Sequence, residues 1–594
     1  MLKTMKKIIL TLLSVLTLMP AMAGNNVAPW GWATCADESG TAYALTGGCF
    51  TDATTVTLQA LGNGQTDDAQ IKQAIAQNDI IIFDGSNGDF TINEYMKISA
   101  KNKTLVGINN ARLCTKFFLT ADDNAYLKAQ NLDGLSSTDS YTGTLPDGTE
   151  ITCDKRAFFT KKAMMELQYQ NTGAYSLPNK SGIFSIESAS ENIIIRNLSL
   201  IGPGAVDIDG VDLITNMGTH VWIDHCTFQD SQDGALDSKR CDWATYTYNY
   251  FYYTDRSYSH AYTCGCGWAE GQMTLHLTFA SNIWGKGCMR RLPQCGDCYV
   301  HLVNNYHNCP GNSAGMTIND NCKALVENNY AAAGVNKPLT GDGSGRNITV
   351  SGNNFSGTSI GSTVTVPYQY TKIAAANVPS NLTGEEGAGA TLTGDAASIL
   401  STIPTGTRGA VYYINASTTD AERDATTYTF VSNGKSFTMT NSGGKGYGTG
   451  TTASQTFKLS NNVLYTLSLP EGLSITTVKV IGYTNEDGKT GYIKEINGVA
   501  YDETAGTFPA RDQNAGAMNE VTFNLPTPAT GTLNIKTYKQ LAIKLELTAG
   551  STASIQDINR ETITNNRYYD LQGRKVTNPT KGLYIVKGKT VVMK

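Results

Sequence analysis

The sequence predicts an all-β chain: a right-handed parallel β-helix, then a β-sandwich domain, then a short C-terminal β segment. Three observations predict it. The composition is rich in turn and strand formers, with 59 Gly, 16 Pro and 30 Tyr among 594 residues, which favours many short strands joined by turns. Strand-like clusters beginning at Leu275, Tyr299, Lys323 and Asn347 follow one another at a constant 24 residues. After about Pro404 that interval stops, and strands at short spacing take over.

The constant interval carries the most information. Upstream clusters begin at Glu191 (ENIIIRNLSL), Thr219 (THVWIDHCTF) and Asp242 (DWATYTYNYF), and alternate small or apolar residues with polar ones. The later clusters run on to the pairs Asn304-Asn305, Asn328-Asn329 and Asn353-Asn354. A fixed period with one strand cluster per unit, and no crossover helix between, means a solenoid whose coils bond strand to strand. The recurring Asn suits a tight corner and can bond to its counterpart one coil away. Nearer the start, GQTDDAQIKQAIAQ from Gly64 is an amphipathic helix with Thr66 or Asp67 as N-cap, placed to cover the open end of the solenoid. Asp79 to Phe83 and Lys103 to Gly107 read as buried strands. Ala121 to Leu177 reads as an irregular insertion with a helix near Lys161 to Tyr169. The 32-residue step from Trp243 to Leu275 predicts a longer loop.

The ends and the cysteines bound the setting. Lys3, Lys6 and Lys7, the apolar run Ile8 to Leu18, and Ala21-Met22-Ala23 form a secretory signal peptide over residues 1–23. The β-helix domain then spans 24–404, the sandwich 405–550 and the tail 551–594. The tail from Tyr568 resembles the C-terminal sorting tails of Bacteroidetes proteins, which implies type IX export or surface attachment; a plain hairpin is the alternative. The expected location is secreted or cell-surface, without a membrane span. Eight of the 13 Cys fall between Cys241 and Cys322; export favours disulfides or buried thiols there over the zinc that Cys264-Gly-Cys266 and Cys295-Gly-Asp-Cys298 suggest. The glycine run GGKGYGTG from Gly443 lacks the strand-to-helix context of a phosphate loop and reads as a turn. A net charge of −5 without a long basic run excludes nucleic acid as a partner.

The chemistry-bearing residues gather in the repeat zone. All six His lie between His220 and His307. Asp233 and Asp237, four apart on a loop entering a strand, suit one hard cation, with Asp212 about one coil away and Asp209 beside it; calcium favours several carboxylate oxygens. Asp224 and His225 sit on a partly inward-facing strand and read as buried polar links between coils, against a competing reading as a hydrolytic pair. Arg290 and Arg291 are strand neighbours, so alternation lets only one aim into a groove.

Val221-Trp222-Ile223-Asp224-His225, then Asp233-Gly234-Ala235-Leu236-Asp237, then Arg291-Leu292-Pro293 ahead of Val300-His301 and Asn304-Asn305, resembles polysaccharide lyase family 1, the pectate lyases. The resemblance runs more weakly from about Ala28 to Pro404. It implies calcium-assisted β-elimination of α-1,4-linked polygalacturonate by a monomer. It implies calcium ligands at Asp212, Asp233 and Asp237, with Asp209 a weaker match, and Arg291 as the base that takes the C5 proton. A guanidinium, with a pKa above about 12, serves as a base only if desolvation and nearby positive charge lower that value. Two departures stand out. Gly296 replaces the family's second Arg, so Arg290 or Lys286 is left to hold a substrate carboxylate. Arg256 stands where the family has a groove Lys, a change compatible with gripping a carboxylate. The alternatives are a polygalacturonase-type hydrolase, whose Asn-Thr-Asp, Asp-Asp and Gly-His-Gly elements do not occur here in order, and a non-catalytic pectin-binding surface protein.

Overall fold

The computed structural model describes residues 26–550, except 178–181, 206–210, 258–259, 268–273, 407–409, 417–426, 443–454 and 512–517, together with the backbone of four short strands beyond 550. The expected signal peptide, Asp209 and the Gly443 run lie outside the described residues. The chain divides into two compact units, Met1–Thr405 and Gly406–Lys594.

The first unit is a parallel β-helix of three sheets. The first sheet stacks ten parallel strands: Thr55–Gln59, Ile80–Asp84, Lys101–Ile108, Glu191–Arg196, Thr219–Asp224, Asp242–Thr247, Leu275–Ala280, Cys298–Val303, Lys323–Glu327 and Asn347–Ser351. Its register is the sequence period made physical: Tyr299 pairs with Lys323, and Lys323 with Asn347. Two eight-stranded sheets complete each coil. The second runs from Phe90–Ile92 to Tyr330–Ala331, the third from Met96–Ile98 to Leu339–Thr340. Alternate residues of every coil point inward, and Ile195, Ile223, Phe279, Leu302 and Val326 join one continuous apolar core.

The corner between the first two sheets explains the paired asparagines. In the first two pairs the leading residue takes a left-handed backbone, φ 56° at Asn304 and 54° at Asn328, which Asn tolerates better than most residues; ahead of the third pair Gly352 takes that place with φ 67°. The residue that follows, Asn305, Asn329 or Asn353, builds the ladder. The side-chain amides of Asn249, Asn282, Asn305 and Asn329 donate to the next coil's Asn at 3.1, 3.1, 2.9 and 3.0 Å. These buried amides keep the corner polar groups satisfied from coil to coil.

The helix Asp68–Gln77 packs Ile71, Ala74 and Ile75 onto the end of the core. Its N-cap residue, Asp67, makes no capping bond; its carboxylate instead accepts from the Leu61 and Thr91 amides, tying the helix to the first coils. The insertion is more regular than the sequence suggests. It holds a helix Ala121–Ala129, a hairpin of Ser140–Thr144 with Glu150–Asp154, and a helix Lys155–Thr172. Asp154 caps the last helix by accepting from the Ala157 amide, and left-handed Gly173 ends it.

The second unit is a sandwich of antiparallel sheets of five and six strands, with a separate four-stranded sheet near the C-terminus. Its strands bury alternate residues, as in Thr427–Ser432, where Tyr428 and Phe430 enter a core with Ile543 and Leu545. All thirteen cysteines are free thiols, eleven of them buried, so the buried-thiol reading holds and the disulfide reading does not. Among the described residues, no helix is long and apolar enough to cross a membrane.

Candidate active site

The site lies on the third sheet, where Ile214–Asn216, Leu236–Ser238, Gly265–Cys266 and Gln294–Cys295 are consecutive neighbours. Leu236 points into the core, so alternation turns Asp237 outward and puts Lys239 on the same face. Asp212 enters the preceding strand and Asp233 the loop before Leu236. The three acids come together with two bases. Lys239 Nζ lies 3.1 Å from Asp212 Oδ2 and 3.3 Å from Asp237 Oδ2. Arg291 Nη1 lies 3.5 Å from Asp233 Oδ1 and 3.4 Å from Asp237 Oδ2. Asp233, Asp237, Lys239 and Arg291 line a cavity of about 370 Å³ with Tyr262, Arg290 and Gln294.

Arg291 is held rigidly from behind. Its carbonyl accepts from the Cys264 amide at 2.8 Å and from the Thr263 hydroxyl. Its φ of 59° is uncommon for a residue other than Gly, a strain of a kind that concentrates at functional sites. This backbone corrects the alternation argument: Arg290 and Arg291 precede the strand Gln294–Cys295, and both guanidinia reach the Tyr262 ring, 5.4 and 5.2 Å from its centre. Both line the cavity.

The electrostatics are those of an acid cluster short of positive charge. Burial, reinforced by Asp212, pushes the Asp237 carboxyl up to about 7. Burial likewise raises Asp212, with Lys239 opposing. Burial works to raise Asp233 too, but the hydrogen bond from His260 at 2.6 Å and the charge of Arg291 outweigh it and hold it below the usual range. Lys239 is pushed up to about 12, as Asp237 and Asp212 outweigh its burial. Arg291 is shifted the same way: burial favours the neutral form, but Asp237, Asp233 and Asp212 together raise it. That direction is opposite to the one a base requires.

A ready-made three-carboxylate cation site is not formed. Among the described residues, no three acid, His or Cys side chains are already grouped to hold a metal ion; Lys239 and Arg291 engage the same carboxylates. The donor set nevertheless fits a hard divalent cation. It offers three clustered carboxylates with excess negative charge. It is also cradled around Gly234, where a Cβ would stand 2.3 Å from Asp237 Oδ1 and 2.6 Å from Asp212 Oδ1. That crowding explains the glycine after Asp233.

Two expected groove residues are not among those lining this cavity. Arg256 is turned to buried Asp230 at 2.9 Å and to the Phe118 ring. Lys286 is exposed on a turn. Asp224 and His225 form a buried link: Asp224 Oδ2 meets Arg196 Nε at 2.8 Å and His225 Nδ1 at 2.7 Å. Sequence reasoning missed Lys239, His260, Tyr262 and Gln294. Lys239 had a signal, two residues beyond Asp237 and just past the end of its strand. His260 and Tyr262 sit in the long irregular loop, where spacing predicts no direction.

Residues 157–391 match the pectate lyase family model. The chain carries a pectate lyase family domain. Among curated relatives, probable pectate lyase 22 of Arabidopsis thaliana is 33% identical over 118 residues, covering 19% of this chain and 26% of that protein. A pectate trisaccharide-lyase of a Thermotoga species is 25% identical over 130 residues, covering 20% of this chain and 34% of that protein. The chain spans less than half the length of the curated relatives it matches. Among solved structures, a Bacillus subtilis pectate lyase variant is similar with a TM-score of 0.38 and 20% identity, covering 62% of this chain and 98% of that one.

Proposed function

We propose that the first unit is a pectate lyase that cleaves polygalacturonate by β-elimination, with Arg291 as base and calcium held by Asp212, Asp233 and Asp237. The observation that carries this reading is the contact of one guanidinium with two acids of the cluster, 3.5 and 3.4 Å away, beside a cavity rimmed by cations. With calcium on the acids, Lys239, Arg290 and Arg291 would give a chain of net charge −5 the local positive field that an acidic polymer requires.

Bound calcium would supply charge neutralisation at the substrate carboxylate, which acidifies the neighbouring C5–H. Arg291 is held protonated by the acids it touches. With a divalent cation on those acids, their pull on the guanidinium would weaken, and burial would favour its neutral form. Neutral Arg291 then accepts the C5 proton. The C5–H electron pair forms the C4–C5 double bond, and the C4–O bond breaks with its pair going to the leaving sugar. Tyr262 and the Thr263 and Cys264 bonds hold the arginine in place for this step. We assign catalysis to residues 24–404 and an accessory role to 405–550. The leader and the sorting-like tail support a place outside the cell or on its surface.

The test is the mass of the products from polygalacturonate. Elimination leaves one unsaturated end and adds no water; hydrolysis adds a water at every cut. Saturated, hydrated products would replace this reading with the hydrolase, and no cleavage would replace it with the binding protein.

A further inference from the structure

The acid cluster already holds a cation of its own. Lys239 Nζ bridges Asp212 Oδ2 and Asp237 Oδ2 at 3.1 and 3.3 Å. The other oxygen of each acid is engaged by backbone: Asp212 Oδ1 accepts from the Gly234 amide at 3.0 Å, and Asp237 Oδ1 from the Gly265 amide at 2.7 Å. The oxygens that Lys239 touches are therefore held by side chains rather than by backbone, and are the ones open to exchange with a divalent ion. The remaining groups facing them are the Thr215 hydroxyl on Asp212 Oδ2 and Arg291 on Asp237 Oδ2. The acids are buried, with side chains 1% and 3% exposed, whereas Lys239 is 41% exposed. Its stem reaches in from solvent and is free to swing out, as a four-carbon chain ending in a compact charge permits.

We propose that Lys239 is a resident counter-ion that competes with the divalent cation for Asp212 and Asp237, so that calcium enters by displacing the ammonium. This rests on the calcium reading above. An ammonium in hydrogen-bonding reach of two ligand carboxylates repels an incoming divalent charge and occupies its donors. Calcium affinity is then the difference between two cation occupancies. Without the ion, the ammonium keeps two buried, mutually repelling acids tolerable to the fold.

The test is calorimetric titration of the full chain with calcium chloride, without substrate, for wild type, Lys239→Met and Lys239→Arg. The Met variant is expected to bind calcium roughly tenfold tighter or more, since a unit charge this close is worth at least that in a half-buried site. The Arg variant, whose planar fork grips two carboxylates better than an ammonium, is expected to bind more weakly than wild type. Thermal melting gives a second readout: without calcium the Met variant melts below wild type, and saturating calcium closes the gap. If Lys239→Met does not fold, the Arg variant decides alone. Equal affinities, or the reverse order, overturn the counter-ion role while leaving the calcium reading standing. No binding by any of the three overturns both.

Discussion

Two acid clusters in the same β-helix, at similar depth, have opposite electrostatic outcomes. Asp224 is buried against Arg196, His225 and Thr247, with bonds of 2.8, 2.7 and 2.5 Å. Its carboxyl lies below the ordinary range, because His225 and Arg196 outweigh the burial that would raise it. Arg196 is in turn bonded to the Ile399 carbonyl and the Asn26 side chain, and lies over the Trp222 ring. Every charge there has a partner. Asp237 is as deeply buried, yet it shares two partly exposed cations with Asp212 and Asp233 and is pushed up to about 7. The first cluster joins coils; the second carries unbalanced charge facing a cavity. The contrast shows that depth does not separate a structural acid from a functional one. The ratio of cations to carboxylates does.

The largest effect that would sharpen this contrast is on turnover. Arg291→Ala is expected to lower elimination about 10³-fold, within the range for loss of a positioned base, while the melting temperature in saturating calcium stays close to wild type. Near-normal turnover would reassign the base. Next comes Asp224→Ala, which leaves Arg196 buried without its counter-charge; it should cost about 3–5 kcal/mol in urea unfolding of the first unit. A loss under about 1 kcal/mol, the scale of an exposed ion pair, would break the contrast from the structural side. Smaller still is the effect of Asp237→Asn on stability. Asp237 has a folded value near 7 against an ordinary value of about 4. Its contribution is therefore fully favourable below pH 4, falls as the pH rises toward 7, and is level above that. In chelator, Asp237→Asn should melt a few degrees above wild type at pH 8, with the gap closing by pH 4. A variant that melts lower at pH 8 would show that the cluster is not short of positive charge.

Much of the fold was legible because a solenoid writes its register into the chain. The 24-residue interval is the distance from Tyr299 to its sheet partner Lys323, and the asparagine pairs mark a corner that each coil repeats. The insertion was less legible, because a helix such as Lys155–Thr172 packs in a local cluster of its own rather than into the periodic core. At the site, Asp212, Asp233, Asp237 and Arg291 were readable from the resemblance, and the structure brings them together. Arg256 does not line the cavity, because Asp230, a local partner, engages its charge. The convergence of Arg290 and Arg291 was hidden because one left-handed residue ahead of a strand undoes its alternation. His260 and Tyr262 gave no signal, since only the path of a long loop puts them beside Asp233 and the arginines.

The central claim is that the Asp212, Asp233 and Asp237 cluster makes elimination depend on a divalent cation. The most direct measurement is the ultraviolet absorbance of the unsaturated product from polygalacturonate as a function of free calcium, for wild type and Asp233→Ala. The account predicts no product in chelator, recovery on adding calcium, and a curve displaced to higher calcium in the variant. Full activity in chelator, or superimposed curves for the two proteins, would contradict it.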